Sequence, residues 1–202
     1  MDYDRLQLKI YKGYEKVARR VGTDYEVYRV TDPMNPLGNL VTTLKATFNA
    51  QDWGFARPNL PGKPFWYGVL DGTLTLPGDI LVGATATYYI AAMQPLLPIL
   101  CIEASASLSL NRQSFTSTNA ATEALTGAIP ASVVMMSVGG GRHDFEVSTT
   151  MGQGNYKIHL PNIGVAIQTN DVLSDAQGFE YIVKAVEYSD YGYRLMAERT
   201  VK

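Results

Sequence analysis

The residues whose types could do chemistry here are two histidines, one cysteine and a group of acids near the C-terminus. His143 and His159 lie in different segments, and Asp144 follows the first of them. No Cys, His or Glu stands at the spacing that a tetrahedral zinc site needs. Cys101 is the single cysteine, so an intrachain disulfide is impossible. It sits in an apolar run over residues 96–102 and reads as a small core side chain. Asp171, Asp175 and Glu180 surround a turn at Gly178, but they lack the alternating oxygen ligands of a calcium loop. They read as turn chemistry, with aspartate accepting backbone N–H bonds. The run Gly139-Gly140-Gly141 before Arg142 is a weak anion cradle. The chain has no nucleophile elbow, phosphate loop or dinucleotide fingerprint. The expectation is a protein that is not an enzyme, with no catalytic residues, no metal and no cofactor.

Composition points the same way. The net charge is −2, so contact with nucleic acid would have to come from a local patch. Tyrosine outnumbers phenylalanine, 13 to 6, and suits half-buried sheet faces and interfaces. The longest apolar stretch, 88–102, is broken by Gln94, Pro95 and Pro98, so no membrane partner is expected. The N-terminus carries charge where a secretory signal would be apolar. These features predict a soluble chain made in a cytoplasm.

The elements that must position these residues are one helix and many strands. Residues 3–21 have helical periodicity: Tyr3, Leu6, Ile10, Tyr14, Val17 and Val21 fall on one face. Arg5, Lys9, Lys12, Lys16, Arg19 and Arg20 fall on another, opposed on the helix chiefly by Glu15. That basic stripe is a candidate docking surface for an acidic partner or for DNA phosphates. Asp2 or Asp4 caps the start and Gly22 ends the helix.

The remainder reads as short strands and turns, mainly β. Strands are expected at 25–30, 41–48, 65–70, 74–76, 79–82, 87–93 and 99–110, then at 129–138, 156–160 and 165–167. Residues 170–200 form a three-strand unit whose turns hold Gly178 and Gly192, both expected at positive φ. The unit has an earlier parallel. Asp79-Ile80-Leu81 answers Asp171-Val172-Leu173, and Tyr89-Ile90 answers Tyr181-Ile182. The strand 99–104 answers 193–198, and 66–69 answers 155–158. The predicted architecture is two small related β-barrel or sandwich modules behind an amphipathic helix. Its divisions are a helix at 1–22, a first module at 23–110, a Ser/Thr-rich linker with a short helix near 119–126 at 111–127, and a second module at 128–202. Ile182 is expected in the core of the second module.

The stretch 178–195, Gly-Phe-Glu-Tyr-Ile-Val-Lys-Ala-Val-Glu-Tyr-Ser-Asp-Tyr-Gly-Tyr-Arg-Leu, with Asn170-Asp171-Val172-Leu173 before it, resembles the C-terminal module of tailed-bacteriophage neck proteins. These are of the head–tail joining, connector or stopper type. Asn170 stands where the family usually has Gly, and Tyr193 where it has Trp. The segments 13–18, 28–29, 77–81 and 88–99 also resemble parts of phage structural proteins. The resemblance implies a virion subunit that forms a homo-oligomeric ring between head and tail. Its partners would be itself, the portal or adaptor, and tail proteins, with packaged double-stranded DNA passing close by. Tyr188, Tyr191 and Arg194 are the expected subunit contact. A tail-tube or baseplate component is the alternative, and an OB-like module for nucleic acid or sugar is a further one.

Overall fold

The computed structural model describes residues 3–50, 63–115, 120–136 and 154–200. Within them α1 (Tyr3–Val21) precedes β1 (Thr23–Tyr28), β2 (Leu40–Ala50), β3 (Phe65–Val69), β4 (Ile80–Gly83), β5 (Thr87–Ala92) and β6 (Ile99–Ala104). These six strands pair antiparallel and close in the order β1-β2-β3-β6-β5-β4. Alternation fills the interior: Tyr25 and Val27 from β1, Leu81 from β4, Tyr88 and Ile90 from β5, and Ile99 and Cys101 from β6.

The second sheet holds β7 (Ala106–Phe115), β8 (Ala120–Ala124), β9 (Ile129–Met135), β10 (Asn155–Leu160), β11 (Val172–Asp175), β12 (Glu180–Ser189) and β13 (Gly192–Thr200). Its order is β11-β12-β13-β10-β9-β7-β8, and pairing of β11 with β7 closes six of the seven strands into a second ring. β8 lies outside that ring and pairs with the far end of β7, from Asn111 to Phe115. The ring interior holds Leu108, Leu110, Ile158, Tyr181, Val183, Leu195 and Ala197. Closure removes the unpaired edges that an open sheet would expose.

The two rings repeat each other residue by residue. Tyr28 faces Ile80 in one, as Asn111 faces Val172 in the other. Ile80 faces Tyr89, as Val172 faces Ile182. Both rings carry a register shift at the same place, between Ile90 and Ala92 and between Val183 and Ala185. Gly68 faces Ile99, as Ile158 faces Leu195. The repeat expected from sequence is therefore real, but parts of its alignment move by one or two residues. Tyr88, and not Tyr89, is the counterpart of Tyr181, because the turn between β11 and β12 is one residue longer than that between β4 and β5. Ile99 answers Leu195, two residues beyond Tyr193, and Gly68 answers Ile158, one residue beyond Lys157.

An ion pair locks the same corner of each ring. Arg29 donates from Nε and Nη2 to the two oxygens of Asp79, both at 2.8 Å. Arg112 holds Asp171 in the same fork, again at 2.8 Å. Each aspartate also accepts the backbone N–H three residues earlier, Leu76 and Gln168, at 2.8 Å. The residue before each aspartate has positive φ, Gly78 at 91° and Asn170 at 71°. Asparagine tolerates that region better than other non-glycine residues, so Asn170 can stand where the first ring has Gly78.

Two boundaries differ from the sequence expectation. The chain changes ring at Ser105, between β6 and β7. The single apolar run over 99–110 hides this, because alternation does not say which sheet bonds to each half. The segment 111–127 is no linker: its described part is the end of β7 and the strand β8, where a short helix was expected. Of the predicted strands, 74–76 and 165–167 are turn or irregular backbone. The loop over 139–141, with Arg142, His143 and Asp144, lies outside the described residues.

Gly178 and Gly192 do have positive φ, 86° and 92°. Their surroundings differ. A Cβ on Gly178 would meet nothing within 4 Å, whereas one on Gly192 would sit 2.3 Å from the Leu160 carbonyl oxygen. Gly178→Ala is expected to cost about 1 kcal/mol, from left-handed strain alone. Gly192→Ala should cost about 3 kcal/mol, because that strain adds to a backbone collision. Urea melts of the two variants measure the difference, and equal losses would contradict it.

Candidate interaction surface

None of the chemistry-bearing side chains in the described residues converges on a reactive site. Cys101 is fully buried in the first ring, and burial pushes its thiol pKa up, away from reactivity. No group of three or more His, Cys, Asp or Glu side chains is placed to hold a metal ion among the described residues. Asp175 accepts the N–H groups of Gln177 and Phe179 at 2.9 Å, as a turn former should. Asp171 is both a turn former and half of a buried ion pair, a role the sequence reading missed. The available signal was an arginine two positions after an apolar strand residue, Arg29 after Val27 and Arg112 after Leu110. A cleft of about 260 Å³ lies at the first ring's Tyr67, Gln94 and Leu97 and the second ring's Tyr191.

His159 stands on the outer wall of the second ring, as the alternation of β10 requires, yet it is buried. The first ring covers it, with Phe65 edge-on at 5.3 Å between centroids. Burial lowers its pKa from 6.5 to about 4; the cations Lys157 and Arg194 add to the shift, and Glu187 opposes it. At pH 7 the imidazole is neutral in both folded and unfolded chains, so it contributes nothing. As pH falls through 6.5 the unfolded chain takes up a proton that the folded chain refuses, and stability drops until about pH 4. Between pH 7 and pH 5 the expected loss is about 2 kcal/mol. His159→Gln should flatten that part of a stability-versus-pH curve, and an unchanged slope would contradict the assignment.

Other contacts join the rings. The Gly127 N–H donates to the Pro33 carbonyl at 2.9 Å, and the Gln94 amide donates to the Tyr191 hydroxyl at 2.7 Å. Tyr191, expected at a contact between subunits, thus bridges the two rings of one chain. Tyr188 is exposed, accepts from the Asn162 amide at 2.8 Å and leans on Tyr193. Arg194 pairs with Glu187 on the neighbouring strand. The three residues form a patch that is braced internally.

The helix is the larger surface. α1 packs on β2 and β3, but through only two members of the apolar row singled out above, Ile10 and Tyr14. Ala18 is its buried residue, with Gln7, Ile10, Tyr11, Tyr14 and Glu15 half-buried beside it. The fit is close. A Cβ on Gly72 would stand 2.6 Å from the Tyr11 ring, and one on Gly22 would stand 2.7 Å from the Ala46 carbonyl oxygen. The Gln7 side-chain oxygen Oε1 accepts the Leu96 N–H at 2.6 Å. At 100° per residue the seated face is turned by about 70° from the centre of the apolar row. Tyr3 and Val21 are consequently 67% and 68% exposed, and Leu6 and Val17 also face solvent. All six residues of the basic stripe, Arg5, Lys9, Lys12, Lys16, Arg19 and Arg20, are exposed. Arg19 pairs with Glu15 one turn earlier. The solvent side of α1 is therefore a cationic row bordering an apolar row.

The fold and this surface define a class by architecture: two closed six-strand rings in tandem behind a basic amphipathic helix. No protein-family model matches the chain, and neither curated proteins nor solved structures give a match. No helix among the described residues is long and apolar enough to cross a membrane.

Proposed function

We propose that this chain is a structural subunit of a tailed-phage virion that forms a ring in the neck, joining the portal to the tail around the DNA channel. The observation that carries the reading is the solvent face of α1, where apolar and cationic rows lie side by side. Exposed apolar rows flanked by charge mark protein contact surfaces. The sequence resemblance over 170–195 supplies the setting. The duplicated rings suit it as well, because ion-paired corners and bonds between the rings make a stiff block that holds its contact surfaces at fixed angles. The described residues offer no reactive constellation that would favour catalysis.

Antibody labelling of this chain on particles of the virus that encodes it, read by electron microscopy, tests the proposal. Label is expected at the junction of head and tail. Label along the tail or at the baseplate, or absence of the chain from particles by mass spectrometry, would overturn it.

A further inference from the structure

We propose that the solvent face of α1 docks on a second copy of this chain, in the acidic groove on the outer wall of the first ring that holds Asp24 and Glu26. The inference rests on the ring reading above and names the two surfaces that would meet.

Charge is segregated along the chain. Residues 3–21 carry six Lys or Arg against two acids, whereas residues 22–202 carry eleven against sixteen. The helix and the body are therefore complementary in sign, and a second copy supplies the acidic partner without any other protein. Complementary potentials steer encounter and fix register.

The groove matches the helix in chemistry. It measures about 360 Å³ and is lined by Asp24, Glu26, Thr43, Val82, Gly83 and Ala84. Asp24 and Glu26 point outward because Tyr25 and Val27, between and beyond them, fill the interior of the ring. Val82 and Ala84 provide an apolar strip beside the two carboxylates. That repeats the helix pattern of a charged row beside an apolar one, with the sign reversed. Lys45 touches Asp24 at 3.0 Å from the flank, but both side chains are largely exposed and can exchange partners.

The chain's own helix does not fill this groove. α1 is seated on β2 and β3 through Tyr11 and Ala18, whereas the groove runs over β1 and β4 and reaches β2 only at Thr43. Helix and groove are thus different patches of one molecule. A contact between different patches is head-to-tail, and repeated copies close into a ring when the rotation allows.

Light scattering on the full chain, across a salt series, tests the contact by charge exchange. The wild-type chain is expected at a multiple of its 22.2 kDa mass in low salt, falling to the single-chain mass as salt rises. Lys9→Glu with Lys16→Glu should stay at the single-chain mass, and so should Asp24→Lys with Glu26→Lys. Circular dichroism melts of both should match wild type, since all four side chains are exposed. Mixing the two variants restores both a normal and a reversed pairing, so the mixture should assemble. A wild-type chain that remains single at every salt concentration, variants that assemble normally, or a mixture that stays dissociated would each overturn the contact. Flotation of the wild-type chain, but not of Lys9→Glu with Lys16→Glu, on phosphatidylserine vesicles without any change in mass would assign the helix to an anionic membrane instead. Antibody label at the neck combined with any of these failures would leave the ring reading standing and remove only this contact.

Discussion

Val183→Asp should unfold the second ring, whereas Ile182→Asp should leave it folded. Val183 is completely buried among Tyr181, Leu195 and Ala197. Its side chain has no route to water, and an unpaired charge there costs several kcal/mol, roughly 5. That approaches the whole stability of a small domain. Ile182 is on the outer wall and half-buried, so a carboxylate there can reach solvent at a cost of about 1 kcal/mol. From sequence Ile182 is expected in the core. The register shift between Val183 and Ala185 breaks the alternation along β12. Before it the odd residues Tyr181 and Val183 face inward; after it Val186 packs on the core. Urea titrations followed by circular dichroism decide the matter. A larger loss for Ile182→Asp than for Val183→Asp would mean that β12 is paired one residue out of register.

Arg112→Met is expected to cost about 3 kcal/mol, and Arg29→Met nearly as much. The reason is what each change leaves behind. Asp171 and Asp79 are 2% and 1% exposed. Without its arginine, each carboxylate keeps a backbone N–H, from Gln168 or Leu76, as its hydrogen-bond partner in the corner. Arg112 also donates to the Ala166 carbonyl at 2.9 Å, an exposed acceptor that water can satisfy once the arginine is gone. Lysine should not rescue either site, because a point charge cannot reproduce the two-pronged contact. Arg112→Met combined with Asp171→Leu should recover part of the loss, since removing both charges spares the stranded one. Chemical denaturation of the single and double variants measures the coupling. A loss below about 1 kcal/mol for Arg112→Met would show that the pair does not organise the corner.

Much of the fold could be read from the chain alone, and for identifiable reasons. Helical spacing over residues 3–21 depends only on neighbours three and four apart, so α1 was placed at its observed limits. Gly178 and Gly192 announced turns because positive φ is a local steric property. The duplication was visible as paired Asp-Ile-Leu and Asp-Val-Leu stretches, though the segments flanking them were misaligned by one or two residues, since small differences in turn length are invisible to a search for identities.

What sequence could not decide were the questions that depend on distant partners. Arg29 and Asp79 are 50 positions apart, and Arg112 and Asp171 are 59. Only ring closure brings β1 against β4 and β7 against β11, so Asp171 looked like a turn former and nothing more, and Asp79 like the start of a strand. Alternation along β10 puts His159 on the outer wall of its own ring, but only the neighbouring ring, through Phe65, buries it. The division at Ser105 was hidden for the same reason: an alternating run fixes which side chains share a face and not which sheet accepts the hydrogen bonds. The helix shows the limit most clearly. Its amphipathic pattern correctly marked an apolar row and a basic row, yet the seat is set by Tyr11 against Gly72 and by the close approach at Ala18 and Gly22. Local periodicity determined that a helix forms and how its side chains are arrayed. Tertiary packing determined which of its faces is covered, because that depends on the shape of a wall built from strands far along the chain.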